Sequence, residues 1–508
     1  MPAGPDPSAL LDRVLTLRED VERQVRTAFP GWPLAGADTE VRASAANLVR
    51  YLALRRHDLH DLQRDLILLG LSSLGRAEAR VGPQLDAVGS ALAALAGRAD
   101  GPSPPTAETL LAGEDLIERR ARAVFGPPPP DRRVRVLATL PSSAAQDPDV
   151  THRLVAAGAD AVRINTAHDT PDDWAAMAAH VRAAAAERGR HVAVEVDLAG
   201  PKMRIAGGVP EARQQLGDSF WLAPPGSRAG SADGLPRVEV TLPSILEQVG
   251  LGQEVWFDDG KIGGQVVELA TAESDGAPVG TALRVVVEHV GRKGQRLRLE
   301  KGVNFPDTEI DLPVPTAEDL AALPHVLGIA DAIGFSFVQR PAEIDGLHDA
   351  MAALMAGPPP APREGPPPAL VLKVETRLAV RALPSLIVHA LRRGPTAVMI
   401  ARGDLGVELG FERLAEVQEE LLWLCEAAHV PVIWATQVLE AMAKRGVPTR
   451  AEVTDAAMGE RAECVMLNKG PYAEEAVRSL ADVLRRMHRH QNKKTPRLGA
   501  LRAWASEG

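Results

Sequence analysis

Cysteine is almost absent from this chain. Cys425 and Cys464 are the only two in 508 residues, which excludes a disulfide framework and a cysteine-based zinc site. Aromatic residues make up only 3%, too few for a surface that stacks nucleic-acid bases. Positive charge is in deficit as well. Lys and Arg number 57 against 67 Asp and Glu, a net charge of −10, where a nucleic-acid surface would be basic. No apolar run approaches the ~18 residues of a membrane span. The opening MPAGPDPSALL lacks the basic stretch and apolar core of a signal peptide. These absences lead us to expect a soluble, cytoplasmic protein with neither a membrane nor a nucleic-acid partner. Lysine is scarce too: nine in all, at 202, 261, 293, 301, 373, 444, 469, 493 and 494. Arg is the default cation here, so each Lys carries information.

What is present divides into two textures. Up to about residue 125 there are no β-branched runs. Leu48, Leu52, Leu59, Leu62, Leu66 and Leu69 recur at three-, four- and seven-residue steps, the stripe of a helix facing a core, with Gly70 as its C-cap. Segment 70–81 reads as a core-facing helix junction. Pro- and Gly-rich stretches at 98–107 and 126–131 mark residues 1–128 as a separable α-helical N-terminal domain. Beyond 131, eight short strand-like runs alternate with Ala-rich helical stretches, at 133–140, 161–166, 191–198, 330–337, 369–375, 397–403, 430–436 and 464–470. Eight such units predict an α/β fold, a TIM (β/α)8 barrel. Residues 131–202 would carry strands one to three and 303–490 strands four to eight. Residues 203–302, rich in Val and Gly, read as a small β domain inserted after strand three. GPPPAPREGPPP at 357–368 reads as a polyproline loop. The tail 491–508, with the basic stretch at 485–494, reads as a solvated, frayed end.

In such barrels reactive groups sit at the C-terminal ends of strands. Strand two ends in Arg163, Asn165 and His168; strand three in Asp197, followed by Lys202 and Arg204. Strand five ends in Lys373 and Glu375, strand six in Arg402, Gly403 and Asp404, and strand seven in Thr436. Lys373 and Glu375 are two apart and share a face. Glu375 and Asp404 suit a hard divalent cation such as Mg²⁺. Arg163, Arg204 and Lys373 suit a phosphorylated anion. The turn from Gly403 to Gly406, before a predicted helix, offers backbone N–H groups to a carboxylate or phosphate. Phosphoryl transfer needs chiefly positioning and charge neutralisation, and this set supplies both.

The same residues carry a family resemblance. VRINTAH (162–168), DLAGPKMR (197–204), WFDDGKI (256–262), KGVNFP (301–306), LVLKVE (370–375), ARGDLGVE (401–408), ATQVLEAM (435–442) and PTRAEVTD (448–455) together resemble the pyruvate kinase family from about 133 to 490. The resemblance implies a barrel with a β lid after strand three, cytoplasmic and glycolytic, that converts phosphoenolpyruvate and ADP to pyruvate and ATP. It implies Mg²⁺ or Mn²⁺ on Glu375 and Asp404, and Lys373 stabilising the transferring phosphoryl group. Arg163 would bind phosphate, and Gly403 with Asp404 and Thr436 would hold the substrate. Asn165, His168, Arg204, Lys301, Thr139, Pro141 and the lid residue Asp259 would face the nucleotide. A homo-oligomer stays open.

The chain departs from that pattern in several places. Ala167 and Leu198 stand where the family's monovalent-cation site has Ser and Thr, and Lys202 stands where potassium-dependent members often have Glu. This resembles a potassium-independent subgroup, with the Lys202 ammonium in place of K⁺. After strand eight the family's Ser-Gly-Glu-Thr is replaced by Asn468-Lys469-Gly470-Pro471, which implies altered protonation of the enolate. The family's C-terminal regulatory domain has no counterpart, so regulation through it is not expected. Two other readings stay open: a catalytically weak sensor of phosphoenolpyruvate or nucleotide, and a metal-dependent pyruvate-enolate lyase or aldolase.

Overall fold

The computed structural model describes residues 4–229, 234–356 and 366–496. Eight parallel strands close into a barrel: β1 (Arg135–Thr139), β2 (Ala161–Asn165), β3 (Ala193–Asp197), β4 (Ala332–Phe335), β5 (Ala369–Val374), β6 (Thr396–Ala401), β7 (Val432–Ala435) and β8 (Cys464–Leu467). Their order around the barrel is β1-β8-β7-β6-β5-β4-β3-β2. Every one of the eight expected runs forms a barrel strand. Buried on both faces, these strands are near-continuous Val, Ile, Leu and Ala. Most of the polyproline segment, 357–365, lies outside the described residues.

A second sheet, from Ile205 to Asn304, separates β3 from β4. Its backbone is a long hairpin, Ile262–Ser274 with Ala277–Val290, turned by Asp275 and Gly276, both at positive φ as a tight hairpin requires. The chain enters and leaves this lid as a paired ribbon. Ile205 N donates to Lys301 O at 2.9 Å and Val303 N to Met203 O at 3.0 Å, and Arg204 bridges Gly302.

The first 125 residues form α1 (Pro7–Ala28), α2 (Thr39–Leu54), α3 (His60–Leu68), α4 (Val81–Ala96) and α5 (Ala107–Phe125). The leucine stripe is thus shared by two helices, α2 and α3, with Leu48, Leu62 and Leu66 buried. Gly70, at φ +72°, ends α3, and Leu71 N closes back on Leu66 O at 2.9 Å. Nor does the helical region stand apart from the barrel. Asn47 Nδ2 donates to Ala427 O at 2.9 Å, Arg120 Nη1 to His429 O at 2.8 Å, and Ser44 Oγ sits 3.1 Å from His429 Nδ1. Burial drives the His429 pKa down to about 4, so this interface holds a neutral imidazole.

Helix α5 closes the barrel's N-terminal mouth. Ala121, Val124 and Phe125 pack against a ring of small residues, Ala161, Ala193, Ala332, Ala369 and Ala397, one near the start of each of five strands. The alanines leave room for Phe125, and Arg135, wholly buried, spans to Glu118 of the same helix at 2.9 Å.

The basic stretch 485–494 is not frayed, while residues 497–508 of the expected tail lie outside the described residues. A hairpin, Gln491–Asn492 with Thr495–Pro496, follows the last barrel helix. Lys493 Nζ lies 2.7 Å from the buried Glu463. Lys494 pairs with the buried Glu78 of the helical region and stacks on Trp423 at 4.5 Å. A buried carboxylate demands a partner, and these two lysines supply it. No helix among the described residues is long and apolar enough to cross a membrane.

Candidate active site

At the C-terminal mouth of the barrel, opposite the α5 plug, Asp197 stands between two cations. Its Oδ2 lies 2.6 Å from Arg163 Nη2 on β2 and 3.0 Å from Lys373 Nζ on β5. Lys373 also donates to Ser336 Oγ at 2.7 Å and approaches Glu375 Oε1 at 3.3 Å, as two residues on one face should. Burial alone would depress the Lys373 ammonium, but Asp197 and Glu375 outweigh it and raise its pKa. Burial would likewise raise Asp197, and Arg163 and Lys373 hold it down instead. The close packing is made by Gly334: a Cβ there would fall 1.9 Å from Asp197 Oδ1.

Glu375 and Asp404 form the second part. Glu375 Oε2 accepts Phe337 N at 2.7 Å. Burial pushes its pKa up, Lys373 opposes this, and the neighbouring Asp404 adds to it. Asp404 accepts Lys202 Nζ on both oxygens, at 2.7 and 2.9 Å, and Asn304 Nδ2 at 3.4 Å. Against its burial, Lys202 keeps Asp404 ionised. Asp404 lies in the first turn of an eight-residue helix, Arg402–Leu409, so the expected turn before a helix is already helical. Gly403 faces Thr436, whose Cγ2 would be 2.7 Å from a Cβ at 403. Thr436 and Gln437 are held at φ +69° and +61°, strain of the kind stored at functional sites. Arg402 pins this loop by donating to Thr436 O at 2.7 Å.

A cavity of about 270 Å³ opens beside Arg163. Thr139, Asn165 and His168 line it, with Leu140, Met177, Glu440, Lys444, Asn468 and Lys469. His168 is depressed by burial, then by Lys469 and Arg204, so Arg204 stands near it from the lid ribbon. The other expected nucleotide residues are not in this cavity. Pro141 begins the next short helical turn. Lys301 lies on the lid, 3.2 Å from the buried Asp258, which Lys261 also holds at 3.0 Å, while the adjacent Asp259 is exposed.

Sequence reasoning missed Ser336, Asn304, Asp258 and Glu195. Ser336 follows β4 directly, at the strand end where polar residues signal a site. Glu195 gave no signal, since it sits inside a strand. Two residues before Asp197 and buried, it has neither carboxylate oxygen hydrogen-bonded. Burial, then Asp197, raises its pKa to about 8.

The family model for the pyruvate kinase barrel domain matches residues 131–477. Pyruvate kinase of Mycobacterium intracellulare is 31% identical over 363 residues, 70% of each chain. That of Methylorubrum extorquens is 32% identical over 368 residues, 70% of this chain and 69% of its own. Pyruvate kinase 2 of Trypanosoma brucei brucei is 28% identical over 373 residues, 71% and 68%. The chain belongs to the pyruvate kinase family. Helices α1 to α5 lie outside the pyruvate kinase barrel match, and the charged cluster lies wholly within it.

The pyruvate kinase family works with a divalent metal. Among the described residues no three His, Cys, Asp or Glu gather as a metal site. Glu375 and Asp404 nonetheless fit one, being neighbouring carboxylates, the first buried and the second half-buried, and the charge of Asp404 already raises Glu375. Two carboxylates with substrate oxygens and water are the usual Mg²⁺ shell.

Proposed function

We propose that the protein transfers the phosphoryl group of phosphoenolpyruvate to ADP, giving pyruvate and ATP. The observation that carries this reading is the convergence of Lys373 and Arg163 on one buried carboxylate, beside Glu375 and Asp404, in a chain of this family. Glu375 and Asp404 would hold Mg²⁺ or Mn²⁺, which supplies charge neutralisation at the phosphoryl oxygens. In this reading Arg163 and Lys373 turn from Asp197 toward the incoming phosphate, and Lys373 meets the charge that develops as the phosphorus leaves the enol oxygen for the ADP β-phosphate. The first-turn N–H groups near Gly403, with Thr436, hold the substrate carboxylate. Asn165, His168, Thr139 and Arg204 take the nucleotide. Pro141 lies beside them, and Lys301 and Asp259 come from the lid. The enolate then gains a proton at carbon, a step the altered loop after β8 would influence.

The test is direct. Purified protein is given phosphoenolpyruvate, ADP and Mg²⁺, and pyruvate and ATP are followed together. Equal amounts of both, abolished by Lys373→Met, fit the kinase. Binding without turnover would mark a sensor, and pyruvate without ATP would mark another chemistry.

A further inference from the structure

A second cavity, of about 250 Å³, lies between the root of the lid and the helix Arg377–Leu391. We propose that it binds a small carboxylic acid with an apolar body and a hydrogen-bond donor next to its carboxylate. It shares no lining residue with the cavity beside Arg163, and the inference does not rest on the phosphoryl-transfer reading.

Four cations line it: Lys202, Arg340, Arg377 and Arg381. Lys202 is held by Asp404, Arg340 by Asp311 and Arg381 by Glu309. Arg377 forms no ion pair among the described residues; its Nε donates to the Glu408 carbonyl, and the rest of its guanidinium stays available. The acids of the wall are already engaged or weakened. Asp307 accepts Glu254 N at 3.1 Å. Glu343 accepts the N–H groups of Gln339 and Arg340 at 2.6 and 3.0 Å. Burial, then Asp404, pushes Glu408 up to about 7. The cavity therefore offers one unspent cation. It also offers one unspent acceptor, because the buried Gln339 Oε1 has no hydrogen-bond partner. An arginine fork matches a carboxylate, and the amide oxygen would take a hydroxyl or amino hydrogen beside it.

The remaining wall is apolar. Ile245, Phe305, Ile310, Leu312 and Leu378 supply it, with Ile245 and Phe305 fully buried. A mostly apolar wall with a few placed polar groups is the usual make-up of a small-molecule site. Size narrows the ligand. An aliphatic cavity of about 150 Å³ holds benzene, so the space here takes a ring and a short chain bearing the carboxylate. Position gives the site its interest. Met203 and Val303 bring both strands of the lid ribbon to it, and Phe337, whose N–H holds Glu375, forms another part of the wall. A ligand here sits directly behind the groups that hold Glu375 and Asp404.

Calorimetric titration of the full chain with 3-phenyllactate, its methyl ester and 3-phenylpropionate tests this. Saturable binding of 3-phenyllactate is expected, with 3-phenylpropionate weaker because it leaves Gln339 without a donor. Arg377→Met should weaken 3-phenyllactate about tenfold or more and leave the uncharged ester unchanged. Ile310→Trp, which fills the cavity, should abolish binding of both, while Lys373→Met at the barrel mouth should leave both unchanged. No saturable binding up to about 10 mM would overturn the assignment. So would equal affinity for 3-phenyllactate and 3-phenylpropionate, or undiminished binding in Arg377→Met or Ile310→Trp. Loss of binding in Lys373→Met would place the probe in the active site and overturn it as well.

Discussion

Glu195 is a carboxylic acid in the barrel interior, and replacing it by Gln should reverse a pH-dependent loss of stability. Its pKa in the folded chain is about 8, against a usual 4.5. Because the folded value is raised, its favourable contribution is fully present below pH 4.5 and is lost as pH rises through 8. The difference of about 3.5 units, at 1.36 kcal/mol each, sets the full loss at about 5 kcal/mol, with about 3 kcal/mol already gone at pH 7. Gln keeps the shape and does not titrate. Any offset from its amide is nearly constant with pH. Urea unfolding of wild type and Glu195→Gln, followed by far-ultraviolet circular dichroism from pH 5 to pH 9, reads the gap between midpoints. It should widen steadily to about pH 8 and then level off. Parallel midpoints over the whole range would mean that Arg163 and Lys373 keep Glu195 ionised, and the reasoning would fail.

Three other perturbations follow from the same geometry. Gly334→Ala drives a methyl into Asp197, so activity should drop at least tenfold and stability by about 1–3 kcal/mol; an unimpaired variant would show that the clamp yields. Lys493→Met leaves Glu463 with Arg133 as its remaining ion pair beside the Val432 N–H and should lower stability by about 3–5 kcal/mol, whereas Lys493→Met with Glu463→Leu should regain much of it; thermal melts decide. Lys202 already places an ammonium on Asp404, so activity should be equal in K⁺ and in a bulky organic cation. A strict K⁺ requirement would refute a role for Lys202 in its place.

Much of the barrel was legible because strand runs repeat and polar residues collect at one end of them. Arg163 and Lys373 lie in the last residues of their strands and Glu375 and Asp404 just past theirs, and the closed barrel brings those ends together. The lid was legible as an excess of chain between strands three and four. What escaped depended on contacts distant in sequence. The tail looked frayed because Lys493 and Lys494 find Glu463 and Glu78 only in three dimensions. The helical region looked separable because its docking uses backbone carbonyls at 427–429, which leave no mark in composition. Glu195 escaped because an acid within an apolar run says nothing of whether it is paired.

The ribbon that carries the lid has a mechanical consequence. Two strands hydrogen-bonded to one another cannot swing independently, so the inserted sheet is joined to the barrel by one spring rather than two. Lys202 and Asn304 stand at the foot of that spring, one on each strand, and both hold Asp404. A cation arriving at Asp404 competes with both at once. Whatever occupies that carboxylate therefore meets both feet of the ribbon at once, and neither foot can be released from Asp404 without the other being felt through the same pair of strands.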